Sequence, residues 1–171
     1  MPTPPYLLRL RRAADAAAVR RALDETLPDF AHVFPADKAA PILVKPNGNA
    51  NMNALTGNTT DLRLLVALLG HLRDAGYADV TVGEGTNSGF YRNKIGVMER
   101  LRLNAAAARF GYAAIDLNQA EGLPVPFENG VSALVARPAL EAALVINLPK
   151  LKTHFEAGMS VCLKNLMGCL V

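Results

Sequence analysis

Short, mostly apolar segments alternate with helix-like segments along most of the chain, and this alternation restricts the possible folds more than any other feature. The apolar runs are ILVK (42–45), DVTV (79–82), AAIDLN (113–118) and ALVINL (143–148). Continuous apolar runs of this length are typical of strands that are buried on both faces. The segments between them are long enough to connect parallel strands. The sequence therefore predicts an α/β fold, a three-layer sandwich with a mainly parallel, Rossmann-like sheet.

The segments between these runs carry the signals of helices. After Thr59, Thr60 and Asp61, leucines recur at helical spacing, and Gly76 ends the pattern. Either threonine can cap this helix, while Asp61 suits the positive end of its dipole. We expect a second helix over about 92–109.

Three further segments lie outside this pattern. Pro124 and Pro126 indicate a loop over 119–130, since proline marks loops and interrupts regular elements. The run VSALVA (131–136) has the composition of a further strand. Residues 155–168 are predicted to form a helix that contains glycine.

The chain divides into two parts of different character. Residues 1–40 form an N-terminal lead-in with one helix over 11–26, rich in alanine and arginine. Residues 41–171 form the α/β domain. Its last five residues, 167–171, are apolar or glycine and carry no polar cap. We therefore expect the domain to be truncated at its C-terminal end.

The composition excludes several classes of protein. With 51% hydrophobic and 19% charged residues, the chain is too apolar to be intrinsically disordered. A formal net charge of +3 does not indicate nucleic acid as a partner. There is no apolar run of about eighteen residues, the length that a transmembrane helix needs. The two cysteines, Cys162 and Cys169, cannot alone hold an iron–sulfur cluster or structural zinc. We expect a cytoplasmic protein with reduced thiols and no bound metal.

Polar residues gather at the carboxyl ends of the predicted strands and in the segments that follow them. In open α/β sheets, ligands bind in the crevice at this edge, where helix N-termini also point. The candidate substrate-binding residues are Lys45, Asn47, Gly83, Gly85, Asn147, Lys150, Lys152 and Lys164, and the candidate catalytic residues are Glu84 and His154. The sequence therefore predicts one site that is built from several loops.

The basic segment after the last strand indicates the type of ligand. Lys150, Lys152 and His154 occupy alternate positions, so an extended backbone places them on one face. Together with Lys45 and Lys164, they form a cluster of positive charge that repels itself unless something neutralises it. A phosphate or a carboxylate ligand is the natural partner. The alternative is a solvated basic loop.

Glu84 lies between two glycines at a strand end. Gly83 and Gly85 allow the backbone to turn tightly and to approach a ligand closely. The carboxylate can pair with a lysine, hold a metal ion or act as a general base, and pairing is the commoner role. His154 can act as an acid or base because its ordinary pKa of about 6.5 is close to neutral pH.

Four segments together resemble a known family. They are ILVKPN (42–47), TVGEGT (81–86), VINLPKLKTH (145–154) and CLKNLMG (162–168). The chain resembles the family of domain of unknown function 362 over roughly residues 42–168. It departs from the family at Asp61-Leu62, where other members often have His-Pro.

The resemblance implies an α/β domain whose biochemical role is not established. Many relatives carry a ferredoxin-like module with two iron–sulfur clusters, which implies a ferredoxin-like redox partner or a module outside this chain. The leading hypothesis is a domain that binds an anionic small molecule and acts on it as an enzyme. Two alternatives stay open: an oxidoreductase domain that works with an iron–sulfur partner, and a non-enzymatic domain that binds or regulates a protein.

Overall fold

A four-stranded parallel sheet forms the centre of the computed structural model, which describes residues 8–48, 52, 54–86, 96–154 and 158–171. Its strands are β1 (Ile42–Pro46), β2 (Val80–Glu84), β3 (Ala113–Asp116) and β6 (Leu144–Leu148). They lie in the order β3-β2-β1-β6, and each pairs in parallel with its neighbour. The predicted α/β sandwich with a mainly parallel sheet is confirmed.

Apolar side chains cover both faces of this sheet, which is why the central strands are continuously apolar. Ile42 and Val44 pack in the main core with the leucines of a long helix. On the other side, a Cβ atom at Gly83 would lie 2.8 Å from Leu43 and 3.1 Å from Leu117. A larger residue at position 83 would force these two leucines to move, and glycine lets them pack directly against the strand.

Six α-helices are described: α1 (Ala16–Thr26), α2 (Leu62–Asp74), α3 (Val97–Arg100), α4 (Leu103–Ala108), α5 (Arg137–Glu141) and α6 (Cys162–Leu166). The leucines of α2 fill the main core, and α1 packs against α2. Asp15 caps α1 by accepting a hydrogen bond from the backbone N–H of Ala18. Among the described residues, no helix is both long and apolar enough to cross a membrane.

The structure corrects two predictions about helices. Asp61, rather than either threonine, caps α2, because its carboxylate accepts a hydrogen bond from the backbone N–H of Arg63. The single helix expected over 92–109 is wrong for the described part of that range. Arg102 adopts a left-handed conformation with φ 57°, so α3 ends before it and α4 begins after it. Residues 92–95 lie outside the described residues.

Two antiparallel hairpins lie partly in segments that the sequence predicts to be a loop and a helix. β4 (Gly122–Pro126) pairs with β5 (Ser132–Ala136) in a sheet of its own, although 119–130 was expected to be a loop. Within the segment 155–168, β8 (Gly158–Ser160) pairs with β7 (Lys152–His154), and only the short α6 is α-helical. The predicted long helix is therefore wrong there, and residues 155–157 lie outside the described residues.

Candidate functional site

The strand order places a crevice beside the carboxyl end of β1. The chain moves from β1 to β2 and β3 on one side, whereas β6 pairs with β1 on the other side. Lys45 aligns with Asn147 and Pro46 aligns with Leu148 at this junction. Open α/β sheets bind ligands where the strand order reverses in this way. Here the reversal point brings predicted site residues from two distant segments together.

A buried ion pair lies at the end of β1 and β2. Lys45 Nζ is 2.7 Å from Glu84 Oε2, and the two side chains are 0% and 2% exposed. Lys45 also donates a hydrogen bond to the backbone carbonyl of Pro46, and the backbone N–H of Gly48 donates to Glu84. Each charged group therefore has both a partner of opposite charge and a backbone hydrogen bond, as buried charges require.

Burial controls the protonation of Glu84. Removal of the carboxylate from water raises the pKa of Glu84 from 4.5 to about 7, although the charge of Lys45 and the hydrogen bonds from Lys45 and Gly48 oppose this change. Burial disfavours the ionised form and is the largest of these effects. Glu84 can therefore take up or release a proton near neutral pH.

Asn165 of α6 joins the ends of β1 and β6. Its Oδ1 accepts a hydrogen bond of 2.8 Å from Asn47, and its Nδ2 donates one of 2.7 Å to Asn147. The same Nδ2 lies 3.3 Å from each of the backbone carbonyls of Lys45 and Pro46. Asn165 is 6% exposed, so this amide replaces water at the crevice wall. Its importance was not predicted, although it lies inside the CLKNLMG segment that marks the family resemblance.

Thr60 attaches the start of α2 to the same strand ends. The backbone N–H of Asn47 donates to Thr60 Oγ1 at 2.7 Å, and the backbone N–H of Thr60 donates to the carbonyl of Asn47 at 2.9 Å. The Thr60 hydroxyl donates in turn to the carbonyl of Leu148 at the end of β6. Thr60, one of the two candidate caps of the helix, therefore fixes Asn47 beside the crevice instead.

Lys152 reaches the site from β7. Its Nζ donates a hydrogen bond of 3.1 Å to Asn47 Oδ1 and another to the backbone carbonyl of Asn58. Burial lowers the pKa of Lys152, and the nearby charge of Lys164 lowers it further, while Glu84 opposes the change. Two ammonium groups and a carboxylate therefore act on one another here.

The structure brings only part of the predicted basic cluster to this point. The hydrogen bond from Arg63 lowers the pKa of Asp61 at the start of α2, and the charge of Lys150 adds a smaller effect in the same direction. His154 aligns with Gly158 in the β7–β8 hairpin, on the same face of β7 as Lys152. Lys45 is occupied by Glu84 and by a backbone carbonyl. Among the predicted lysines, Lys152 and Lys164 are close enough for the charge of Lys164 to lower the pKa of Lys152.

The glycines around Glu84 allow segments of the protein to approach one another closely. A Cβ atom at Gly85 would lie 2.2 Å from the carbonyl oxygen of Gly168. A Cβ atom at Gly168 would lie 2.9 Å from Lys45 Nζ and 3.0 Å from Glu84 Oε1. The turn that follows α6 therefore closes over the ion pair, and this contact requires glycine on both sides.

A cleft of about 460 Å³ opens beside this cluster. It lies between the end of β1, the start of α2 and the junction of α3 with α4. We define it by Asn47, Thr60, Leu65, Arg100 and Arg102, which all line it. The two arginines were not among the predicted site residues, because nothing in the sequence placed their segment at this edge.

The cysteines do not form a site for an iron–sulfur cluster. Cys162 is exposed and Cys169 is buried, and both are free thiols. A ferredoxin-type cluster needs four cysteine thiolates, and the sequence contains two cysteines. Across the described ranges, no three His, Cys, Asp or Glu side chains gather into a metal-binding group. The residues of this chain therefore do not fit such a cluster.

Comparison with known families gives one match. The family described as Domain of unknown function (DUF362) matches residues 42–171, from the first residue of β1 onward. The chain belongs to this family. The resemblance expected from the four sequence segments is thus confirmed, and all ten predicted site residues lie within the matched range. Searches of the curated proteins and of the solved structures gave no significant match.

Proposed function

We propose that this domain binds an anionic small molecule at the reversal point of the parallel sheet and exchanges a proton with it through Glu84. The observation that carries the proposal is the buried polar cluster at this point, where Lys45, Glu84, Asn47 and Asn165 meet at the ends of β1, β2 and α6. Polar groups at this depth reduce stability unless each finds a partner. A cluster of this kind at the usual ligand position of the fold is therefore better explained by binding than by packing.

Lys152 and Lys164 support an anion as the ligand. The charge of Lys164 lowers the pKa of Lys152, so the two ammonium groups repel each other. A phosphate or carboxylate that binds between them relieves this repulsion and forms charge-assisted hydrogen bonds. Asn47 accepts a hydrogen bond from Lys152 and so holds its ammonium group in place for such a ligand.

Glu84 supplies the chemistry in this proposal. A general acid or base works best when its pKa is close to the working pH, and burial places the pKa of Glu84 at about 7. Lys45 stabilises the ionised form by direct contact. The turn after α6 covers Glu84, so in this proposal the bound molecule displaces that turn. Glu84 can then accept a proton from the molecule and return it, while Lys45 limits the cost of the charge.

Thermal unfolding in different salts tests the anion site. At equal ionic strength, sodium phosphate is expected to raise the Tm more than sodium chloride, because phosphate binds between Lys152 and Lys164. The double variant Lys152→Ala with Lys164→Ala is expected to lose most of this difference.

The control variant is Arg12→Ala with Arg21→Ala, which removes the same two positive charges from exposed positions in the lead-in. It is expected to keep the phosphate effect. If the lysine double variant keeps the full difference between phosphate and chloride, the basic segment is only a solvated surface and the proposal is wrong.

A further inference from the structure

The cleft beside the buried cluster carries two arginines that form no ion pair with any acidic side chain among the described residues. Arg100 and Arg102 both line it and both are exposed. Some other exposed arginines do form such a pair, as Arg63 does with Asp61. Guanidinium groups in a cleft without carboxylate partners are suited to bind an anion from outside.

The backbone of Arg102 supplies an independent observation. Its φ of 57° lies in the left-handed region, and it is the single non-glycine residue with positive φ among the described residues. This conformation is unfavourable for a residue with a Cβ atom, and glycine or asparagine adopts it at lower cost. The junction of α3 and α4 therefore keeps an arginine where a smaller residue would give a more stable fold. Strained residues of this kind are concentrated at binding sites.

The walls of the cleft indicate the rest of the ligand. Leu62, Leu65, Leu101 and Leu103 line it together with Asn47 and Thr60. The cleft volume of about 460 Å³ exceeds what a free phosphate ion fills and falls in the range of small-molecule sites. The half-buried side chains of Leu62 and Leu101 offer apolar contact without hydrogen bonds, whereas Leu65 and Leu103 are buried in the core behind them.

We infer that Arg102, with Arg100, binds the acidic group of an amphipathic small molecule whose apolar body packs against these leucines. The substrate class is thus a phosphate or carboxylate attached to a ring or hydrocarbon, rather than a fully polar metabolite. The inference rests on the proposed function, because Asn47 belongs both to the cleft and to the contact with Lys152. In this arrangement the full molecule carries a second acidic group between Lys152 and Lys164 and extends past Asn47 into the cleft, so phenyl phosphate and benzoate probe the cleft half alone.

Arg102→Gly separates the two roles of this residue. Glycine accepts the left-handed conformation, so the Tm of the ligand-free variant is expected to rise. Calorimetric titration with phenyl phosphate, benzoate and inorganic phosphate measures the other role. We expect the unmodified protein to bind phenyl phosphate or benzoate more tightly than inorganic phosphate. We expect Arg102→Gly to weaken binding of the preferred aromatic anion about tenfold or more, as loss of a charged hydrogen-bond donor does.

Two further variants complete the test. Arg102→Asn also tolerates the left-handed backbone and is expected to lose the same affinity. Arg21→Ala removes one exposed positive charge elsewhere and is expected to keep it. Unchanged affinity in Arg102→Gly, or a preference for inorganic phosphate in the unmodified protein, overturns the inference. Tighter binding of phenyl phosphate than of benzoate indicates a phosphate ligand, and the reverse order indicates a carboxylate ligand.

The outcome is separable from that of the proposed function. If Lys152→Ala with Lys164→Ala removes the phosphate effect while Arg102→Gly leaves aromatic anion binding unchanged, only the role of the cleft is wrong. If Arg102→Gly loses aromatic anion binding while the lysine variant keeps the phosphate effect, the cleft binds an anion and the lysine site does not.

Discussion

Two ion pairs of equal length lie in different regions of the molecule. At the carboxyl edge of the sheet, Lys45 Nζ and Glu84 Oε2 are 2.7 Å apart, with side chains 0% and 2% exposed. Beside the β4–β5 hairpin, Arg137 and Glu121 are also 2.7 Å apart, with side chains 40% and 62% exposed. The hydrogen bond from Arg137 lowers the pKa of Glu121, whereas burial raises the pKa of Glu84 to about 7.

The two carboxyl groups differ in the direction of their pKa shift although both ion pairs have the same length. Burial, rather than the distance between the charges, therefore decides the direction of the shift. Water around Glu121 already stabilises its carboxylate, so the arginine adds a small and favourable contribution. Glu84 has lost its water, and the lysine repays only part of that cost. The exposed pair of Arg137 and Glu121, the outer pair, joins the two ends of the β4–β5 hairpin. The buried pair of Lys45 and Glu84, the inner pair, contains a carboxylate whose pKa is close to neutral pH.

The largest expected effect comes from removing one partner of the inner pair. Lys45→Met leaves the carboxylate of Glu84 buried without an opposite charge, and the free energy of unfolding at pH 8 is expected to fall by about 3–5 kcal/mol. Urea unfolding followed by circular dichroism measures this change. The loss is expected to shrink at pH 5, where Glu84 is protonated in the variant.

The matched control is the double variant Lys45→Met with Glu84→Leu, which replaces both charges by apolar groups. It is expected to recover most of the lost stability, since no buried charge remains. Equal loss in the single and double variants would show that packing around Lys45, and not its charge, explains the effect.

The second effect is a dependence of stability on pH. The pKa of Glu84 is about 7 in the folded protein and its ordinary value is 4.5, so the unfolded state releases the proton first as the pH rises. The contribution of Glu84 is therefore complete below pH 4.5 and is lost as the pH rises through 7, by an amount on the order of 3 kcal/mol.

Glu84→Gln cannot ionise and isolates this contribution. As the pH rises from 4.5 to 7, the unmodified protein is expected to lose stability relative to Glu84→Gln. The unfolding free energy of the unmodified protein minus that of Glu84→Gln therefore decreases over this range. Urea titrations at several pH values measure it. A difference that stays constant with pH would mean that Glu84 is ionised throughout this range.

The smallest effect is expected in the outer pair. Arg137→Ala removes contacts to Glu121 and Glu141 that are exposed to water and screened by salt. Its Tm is expected to differ little from that of the unmodified protein, and the difference is expected to vanish in molar sodium chloride. A loss comparable to that of Lys45→Met would remove the distinction between the two regions.

The sequence predicts the elements that burial dictates. The continuous apolar runs place β1, β2, β3 and β6 within a few residues of their observed bounds. The β4–β5 hairpin was missed because Pro124 and Pro126 occupy β4, where proline indicates a loop. Its partner is a single strand rather than the main sheet, and strands at a sheet edge tolerate proline.

The candidate site was predictable as a set of residues but not as a geometry. Lys45 and Glu84 follow neighbouring parallel strands, so their meeting follows from the strand order once it is known. Hydrophobic periodicity does not identify Asn165, because this buried residue is polar and its contacts are hydrogen bonds. The sequence around Arg102 has the pattern of a continuous helix. Only the φ angle of Arg102 shows that the helix is interrupted there.

The long-range hydrogen bonds of Asn165 determine when the crevice wall can form during synthesis. Its hydrogen bond to Asn47 joins residues 118 positions apart, among the most distant contacts of the chain. A nascent chain that has left the ribosome as far as Leu148 already contains all four parallel strands. It cannot close the crevice wall until α6 follows. During synthesis the scaffold can therefore form before the candidate site does, and affinity for a ligand there would arise only once α6 has been made.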